Sequence, residues 1–252
     1  MKIWTISDLH VDYRENFHWV IQLSEYDYKS DILIIAGDIS DIPDLFEKTL
    51  LELQSRFHTV LFLPGNHDLW TRRHTGASSL EAFDLLLRRV ANCGVYTSPL
   101  KKGTTWFIPL LGWYDYSFGT PSPGLMNIWG DFRMCNWPDG FGPEAITRYF
   151  TALNESHLNL EGEKIVTFSH FLPRIDLIPG FVPKNVKALF PVMGSTVLEE
   201  QLRTLKAAIH IYGHSHFNRD VRHKGIRYIN NALGYPYETR ITRKRLLCLG
   251  EA

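Results

Sequence analysis

"LFLPGNHDLW", Leu61 to Trp70, sets an apolar run directly against a cluster of reactive side chains. Leu61, Phe62 and Leu63 read as a buried strand, followed by the helix-breaking Pro64 and by Gly65, which permits a tight turn. Asn66, His67 and Asp68 then arrive together, three side chains that can bind metals or move protons. A surface turn has use for Gly, Asn and Asp, but none for the histidine.

The same arrangement recurs upstream. "KIWTIS" (2–7) is β-rich and ends at Asp8-Leu9-His10, and "DILIIA" (31–36), an apolar run expected of a strand buried on both faces, ends at Gly37-Asp38. Between them, residues 16–26 have helical periodicity, with Trp19, Val20 and Leu23 on one face. Pro43 suits the first position of a helix striped by Leu45, Phe46, Leu50 and Leu53, and residues 79–91 read as another helix, stopped by Gly94. The order βαβαβα implies parallel strands covered by helices. Every polar cluster falls at the carboxyl end of a strand, where open α/β sheets place their ligands.

Downstream, "TTWFIPLLG" (104–112) reads as a strand. The segment Trp113 to Pro143 is dense in Trp, Tyr, Phe, Gly and Pro, and a loop of that length is expected to be ordered and functional. Residues 143–160 are helical in pattern. "KIVTFS" (164–169) ends at His170, "AIHIY" (208–212) ends at Gly213-His214-Ser215-His216, and "IRYIN" and "RLLCL" supply late strands. With no repeat, linker or composition break, one domain over 1–252 is the simplest parse, with 113–143 as an insertion-like segment.

The chain's 252 residues suffice for one large α/β core, and a hydrophobic content of 44% fits a well-packed globular protein. Lys+Arg and Asp+Glu number 27 each, so no global field recruits nucleic acid or an anionic membrane. Three cysteines without CxxC spacing argue against a disulfide framework and a thiolate zinc site. No apolar run approaches the ~20 residues that cross a bilayer, and the amino-terminal stretch is too polar for a signal peptide. A cytoplasmic protein is expected.

The strand-end groups are Asp8, His10, Asp38, Asn66, His67, Asp68, His170, His214 and His216. Carboxylates, imidazoles and an amide oxygen make a mixed O/N donor set suited to manganese, iron, zinc or cobalt. They are too many for one ion, whereas two ions sharing a bridging carboxylate would use them, as in sites for phosphoester hydrolysis. For Asp68 a role in bracing the turn is an equal alternative. His18, His58, His74, His157, His210 and His223 match no such strand end and are read as structural or surface groups; of these His210 sits nearest the motif strands, with a core role favoured.

Asp8-Leu9-His10, Gly37-Asp38-Ile39-Ser40-Asp41, Gly65-Asn66-His67-Asp68, His170 and Gly213-His214-Ser215-His216 together resemble the five ordered blocks of the calcineurin-like metallophosphoesterase superfamily. The resemblance implies a four-layer α/β/β/α sandwich with two mixed sheets and a dimetal site at the sheet edges. It implies that Asp8, His10 and His216 hold one metal, that Asp38 bridges to the second, and that Asn66, His170 and His214 complete the second site. The ions would be divalent transition metals, manganese first, with iron, zinc, cobalt or nickel as alternatives. His67 would act as general acid with Asp41 orienting it, and the attacking group would be hydroxide generated from a water shared by the metals.

Protein Ser/Thr phosphatases of this superfamily carry arginines where this chain has Pro64 and Ile42, so the phosphodiesterase and small-substrate branches are the better match. A small-molecule phosphoester is the expected substrate. Arg72, Arg73 and Arg174 are candidates for its phosphate. Trp113 and Tyr116, with Tyr114, Trp129, Phe132 and Trp137, are candidates for a cleft wall, with a satellite packing cluster as the alternative. Asn230 to Pro236 is a candidate site-edge loop. Two other classes weigh less: a non-catalytic scaffold on this fold should have lost ligands or the acid histidine, and a nuclease should carry basic surface.

Overall fold

The computed structural model describes residues 1–73 and 76–251, so His74 lies outside the described residues. The first half runs β1 (Lys2–Ile6), α1 (Arg14–Ile21), β2 (Ile32–Ala36), α2 (Pro43–Gln54), β3 (Thr59–Leu63) and α3 (Ser79–Asn92). The strands β1, β2 and β3 pair in parallel, as the alternating pattern implied.

Side-chain alternation decides what each strand holds together. Ile32, Ile34 and Ala36 of β2 and Leu61 and Leu63 of β3 enter one core, while Leu33, Ile35, Val60 and Phe62 face the opposite way. That outer face packs against Val20 of α1, Phe46, Leu50 and Leu53 of α2, and Leu86 and Val90 of α3. Both faces are apolar, which is why these strands read as continuous hydrophobic runs.

The second half continues with β4 (Leu100–Lys102), β5 (Thr105–Pro109), α4 (Pro123–Ile128), α5 (Asp131–Met134), α6 (Pro143–Leu153), β6 (Lys164–Phe168), α7 (Lys184–Lys187), α8 (Thr196–Thr204), β7 (Ile209–Tyr212), β8 (Arg219–His223), β9 (Ile226–Asn230) and β10 (Leu247–Glu251). One sheet has the order β10-β1-β2-β3 and the other β4-β5-β6-β7-β9-β8. Each is mixed, because β10, β4 and β8 join antiparallel to otherwise parallel strands. Phe107, Val166, Phe168, Ile209, Ile211 and Ile229 meet the inner residues of the first sheet, and helices α6 and α8 cover the outer face of the second through Ile146, Phe150, Leu198 and Leu202. The result is the expected α/β/β/α sandwich.

Three details differ from the sequence reading. Helix α1 stops at Ile21 rather than reaching Tyr26, because the buried Arg56 guanidinium donates to the carbonyls of Ile21 and Leu23 and so caps the chain there. Helix α6 stops at Leu153, where the Asn154 amide turns away to bond both backbone groups of Leu111. Trp113 is no cleft wall: it is 1% exposed and packs against Trp137, Phe150 and Phe171 beneath the second sheet.

Candidate metal centre

Backbone hydrogen bonds draw the strand ends together before any side chain is considered. The Asp8 N–H donates to the Gly37 carbonyl and the His10 N–H to that of Asp38, aligning the loops after β1 and β2. The Gly213 N–H donates to the His170 carbonyl, aligning those after β6 and β7, and the His214 N–H donates to Asp8 Oδ1 across the two sheets. Asp8, His10, Asp38, His214 and His216 all have positive φ, between 42° and 67°. Non-glycine residues hold that conformation at a cost of about 1–2 kcal/mol each, and such strain gathers at functional sites.

Gly65 is required for space rather than for an unusual φ. A Cβ there would lie 2.2 Å from Asp38 Oδ1 and 2.8 Å from the Asp38 nitrogen. Asp68 is the brace between these loops, since its carboxylate accepts from the N–H groups of Asp38, Ile39, Ser40 and Gly65 at 2.8–3.1 Å. Burial, with Asp38 nearby, raises its pKa to about 7 against the pull of those donors. With its oxygens thus engaged, bracing is the role the structure gives it.

Two clusters result. Asp8, His10 and His216 bring ligand atoms within 4.8 Å of one another, as do Asp38, His170 and His214, and His10 and Asp38, one from each cluster, meet His67 within the same limit. Asn66 joins the second cluster, its Oδ1 3.0 Å from both His170 Nε2 and His214 Nδ1. Asp38 Oδ2 lies 3.8 Å from His10 Nε2 and 3.4 Å from His170 Nε2, so one oxygen faces both clusters. That is the position a bridging carboxylate needs.

The histidine tautomers test whether metal fits. His170 Nδ1 faces the Ala36 carbonyl at 2.9 Å, His214 Nε2 the Val192 carbonyl at 3.0 Å, and His216 Nδ1 the Glu238 carboxylate at 2.6 Å. Those oxygens only accept, so each outward nitrogen carries a proton, and the inward nitrogen is the one that can take a metal once it holds no proton of its own. Inside, His10 Nε2 and His216 Nε2 stand 3.1 Å apart, and His170 Nε2 and His214 Nδ1 also 3.1 Å apart. Ring nitrogens gathered this closely are a donor set that a cation can occupy in place of protons. Burial, with His67 beside it, holds the His10 pKa well below the usual value, and burial with His170 lowers His214 to about 3, so both rings are neutral donors for a metal. Burial also opposes charge on His170 and His216, but Asp38 raises the first to about 9 and Asp8 raises the second to about 10. Burial likewise opposes charge on the two carboxylates, yet His216 brings Asp8 down to about 2 and His170 holds Asp38 well below the usual carboxylate range. Metal would enter by displacing those two protons.

His67 stands at the edge of this centre. Its N–H donates to Asp38 Oδ1 at 2.9 Å, its ring stacks on Trp70 at 3.7 Å, and its Nε2 lies 4.0 Å from Asp38 Oδ2. At 17% exposure it is more open than the other histidines of the two clusters. It opens on a cavity of about 340 Å³ that is also lined by His10, Asp12, Tyr13, Asp41, Trp70, Arg73 and Tyr235. Asp41 sits 3.6 Å from Arg73, which is 58% exposed at the rim.

Arg73 is the one expected substrate contact among the described lining residues. Arg174 is held by Asp176 at 2.7 Å and by Glu199 at 3.2 Å, so two carboxylates occupy the face a phosphate would need. Arg72 is exposed, with its N–H bonded to the Met134 carbonyl. Tyr116 is half-buried against Tyr114 and lies outside the cavity lining. His210 is buried in the core, between Thr167 Oγ1 at 2.8 Å and Ser169 Oγ at 3.1 Å. Sequence reasoning missed Glu238 on His216, Tyr235 over His10 and His216, and Asp131 on Asn66. The Asn/Gly-rich stretch 230–236 pointed toward Tyr235, but no spacing rule marked the two carboxylates.

Comparison with known proteins points the same way. A family profile described as calcineurin-like phosphoesterase matches residues 1–218. The [acyl-carrier-protein] phosphodiesterase PptH of Mycobacterium tuberculosis is 27% identical over 269 aligned positions, covering 94% of this chain and 79% of that protein. The crystal structure of phosphopantetheinyl hydrolase (PptH) from the same organism superimposes with a TM-score of 0.81 and 25% identity, covering 98% of this chain and 95% of the other. A further solved chain, at 14% identity and a TM-score of 0.57, shares the fold.

Proposed function

The chain belongs to the calcineurin-like phosphoesterase family and is a metal-dependent phosphoesterase, and from that premise we propose that it hydrolyses a phosphodiester at a two-ion centre held by Asp8, His10, Asp38, Asn66, His170, His214 and His216. The observation that carries this reading is that one ring nitrogen from each cluster, His10 Nε2 and His170 Nε2, faces the same oxygen, Asp38 Oδ2, at 3.8 and 3.4 Å. Bound metals supply a low-pKa water and neutralise phosphoryl charge. Manganese is the ion we assign to a mixed carboxylate, amide and imidazole set without sulfur.

The chain's own groups then divide the work. The His67 ring, stacked on Trp70 while the residue's backbone N–H is bonded to Asp38 Oδ1, faces the cavity and gives its proton to the departing oxygen. Arg73 offers a guanidinium to a non-reacting phosphoryl oxygen, with Asp41 3.6 Å from it in the same cavity lining. An apolar cavity of about 160 Å³ shares Asp41 and Trp70 with the first and is lined by Phe46, Ala82, Leu85 and Leu86. That supports a substrate with an uncharged arm. PptH matches over nearly the whole chain, which supports the phosphopantetheinyl ester of an acyl carrier protein as the substrate class.

The test is a panel of holo acyl carrier protein, bis(p-nitrophenyl) phosphate, p-nitrophenyl phosphate and phosphopeptides, assayed with manganese. Release of the arm from the carrier protein, with diester turnover at least matching monoester turnover, is expected. Strong phosphopeptide turnover without diesterase activity would reverse the choice of branch.

A further inference from the structure

Asp131, at the start of α5, carries a carboxylate in a residue only 2% exposed. Three N–H groups converge on it: Asn66 Nδ2 at 2.8 Å and Trp70 Nε1 at 2.7 Å reach Oδ1, and Trp129 Nε1 at 2.8 Å reaches Oδ2. A carboxylate receiving three N–H groups accepts and does not donate, so the Asn66 amide must turn its nitrogen toward Asp131. Its oxygen is thereby left facing His170 and His214, 3.0 Å from each. The two ends of an amide are nearly the same size, and nothing else about its shape chooses between them. A flipped Asn66 would aim an NH₂ group at the position of a cation.

The surroundings keep that carboxylate from rotating. The two indoles grip its oxygens separately, and Gly130 lets the Trp70 ring lie against the segment, since a Cβ there would come within 2.8 Å of Trp70 Cζ2. Asparagine at 131 would offer one accepting oxygen and one donating NH₂, which sets a donor against a donor. Aspartate alone satisfies all three partners.

We propose that Asp131 is a positioning residue, which fixes the Asn66 amide with its oxygen inward and so sets the affinity of the second metal position. This ties the aromatic segment 113–143 to the chemistry through a ligand's orientation rather than through substrate contact. It rests on the two-ion reading above.

Equilibrium dialysis of apo protein against manganese tests it, using wild type, Asp131→Ala, Asp131→Asn, Asn66→Ala and the Asn66→Ala/Asp131→Ala double variant, with apo melting temperatures alongside. Partners behind a metal ligand typically change affinity ~10–100-fold. Asp131→Ala should therefore weaken the second equivalent by about that factor and leave the first unchanged, and it should cost nothing more in the Asn66→Ala background. Asp131→Asn, close in size, should show a smaller loss of the same selective kind and keeps the test alive if the alanine variant fails to fold. Equal weakening of both equivalents, the same added loss in the Asn66→Ala background, or an unchanged second affinity in both single variants would overturn the proposal. A wild type that never takes a second ion would bring down the two-ion reading and this proposal together; a two-ion wild type with unaffected Asp131 variants brings down this proposal alone.

Discussion

Asn66 and His67 are neighbours in sequence with different surroundings, and they should fail differently. Asn66 faces His170 and His214 through its oxygen, whereas His67 lies over Trp70 and opens on the cavity. Asn66→Ala should weaken the second metal, so that excess manganese restores part of the activity. His67→Ala should bind metal normally yet lose ~10²–10⁴-fold in kcat, the usual worth of general acid catalysis. That loss should be smallest for p-nitrophenyl esters, whose leaving group is stable without protonation, and larger for alkyl esters. Metal rescue of His67→Ala, or equal losses on both esters, would remove the acid role. These residues were legible in the sequence because metal chemistry restricts the donor types and the fold puts them at strand ends. Glu238 and Asp131 were not, and Tyr235 was marked only as part of the loop 230–236, because a residue that touches a ligand's far side can come from any segment that folds back on it.

At the level of elements, the βαβαβα half was legible because both faces of β2 and β3 are apolar and the helices between them carry clear stripes. The ends of α1 and α6 were not, since Arg56 and Asn154 act from other parts of the chain. The short edge strands β4 and β8 are largely polar and half-exposed, so they leave little alternation to read. Aromatic density in 113–143 does not distinguish a cleft wall from a packed roof; burial does. Trp113→Ala should therefore cost about 3–5 kcal/mol of stability, as removal of a large buried aromatic does. Its effect on KM should be the same for a bulky diester and for p-nitrophenyl phosphate, with both measured on protein that remains folded. A KM increase confined to the bulky substrate at unchanged melting temperature would restore Trp113 to the cleft.

For the whole molecule, the centre is a seam. The first sheet contributes Asp8, His10, Asp38, Asn66 and His67 through loops after β1, β2 and β3, and the second contributes His170, His214 and His216 through loops after β6 and β7. Ions bound there join the two sheets, so loading should raise the unfolding free energy by mass action, about 2.7 kcal/mol at a hundredfold excess over Kd. The described residues contain no helix long and apolar enough to cross a membrane.

The central claim is that Asp38 holds two ions at this seam, and elemental analysis of manganese-reconstituted protein tests it most directly. Wild type should carry two ions per chain and Asp38→Asn one or fewer, because the shared oxygen loses its charge. A wild type that stays at one ion or below under saturating manganese, or an Asp38→Asn variant that retains two, would contradict the account.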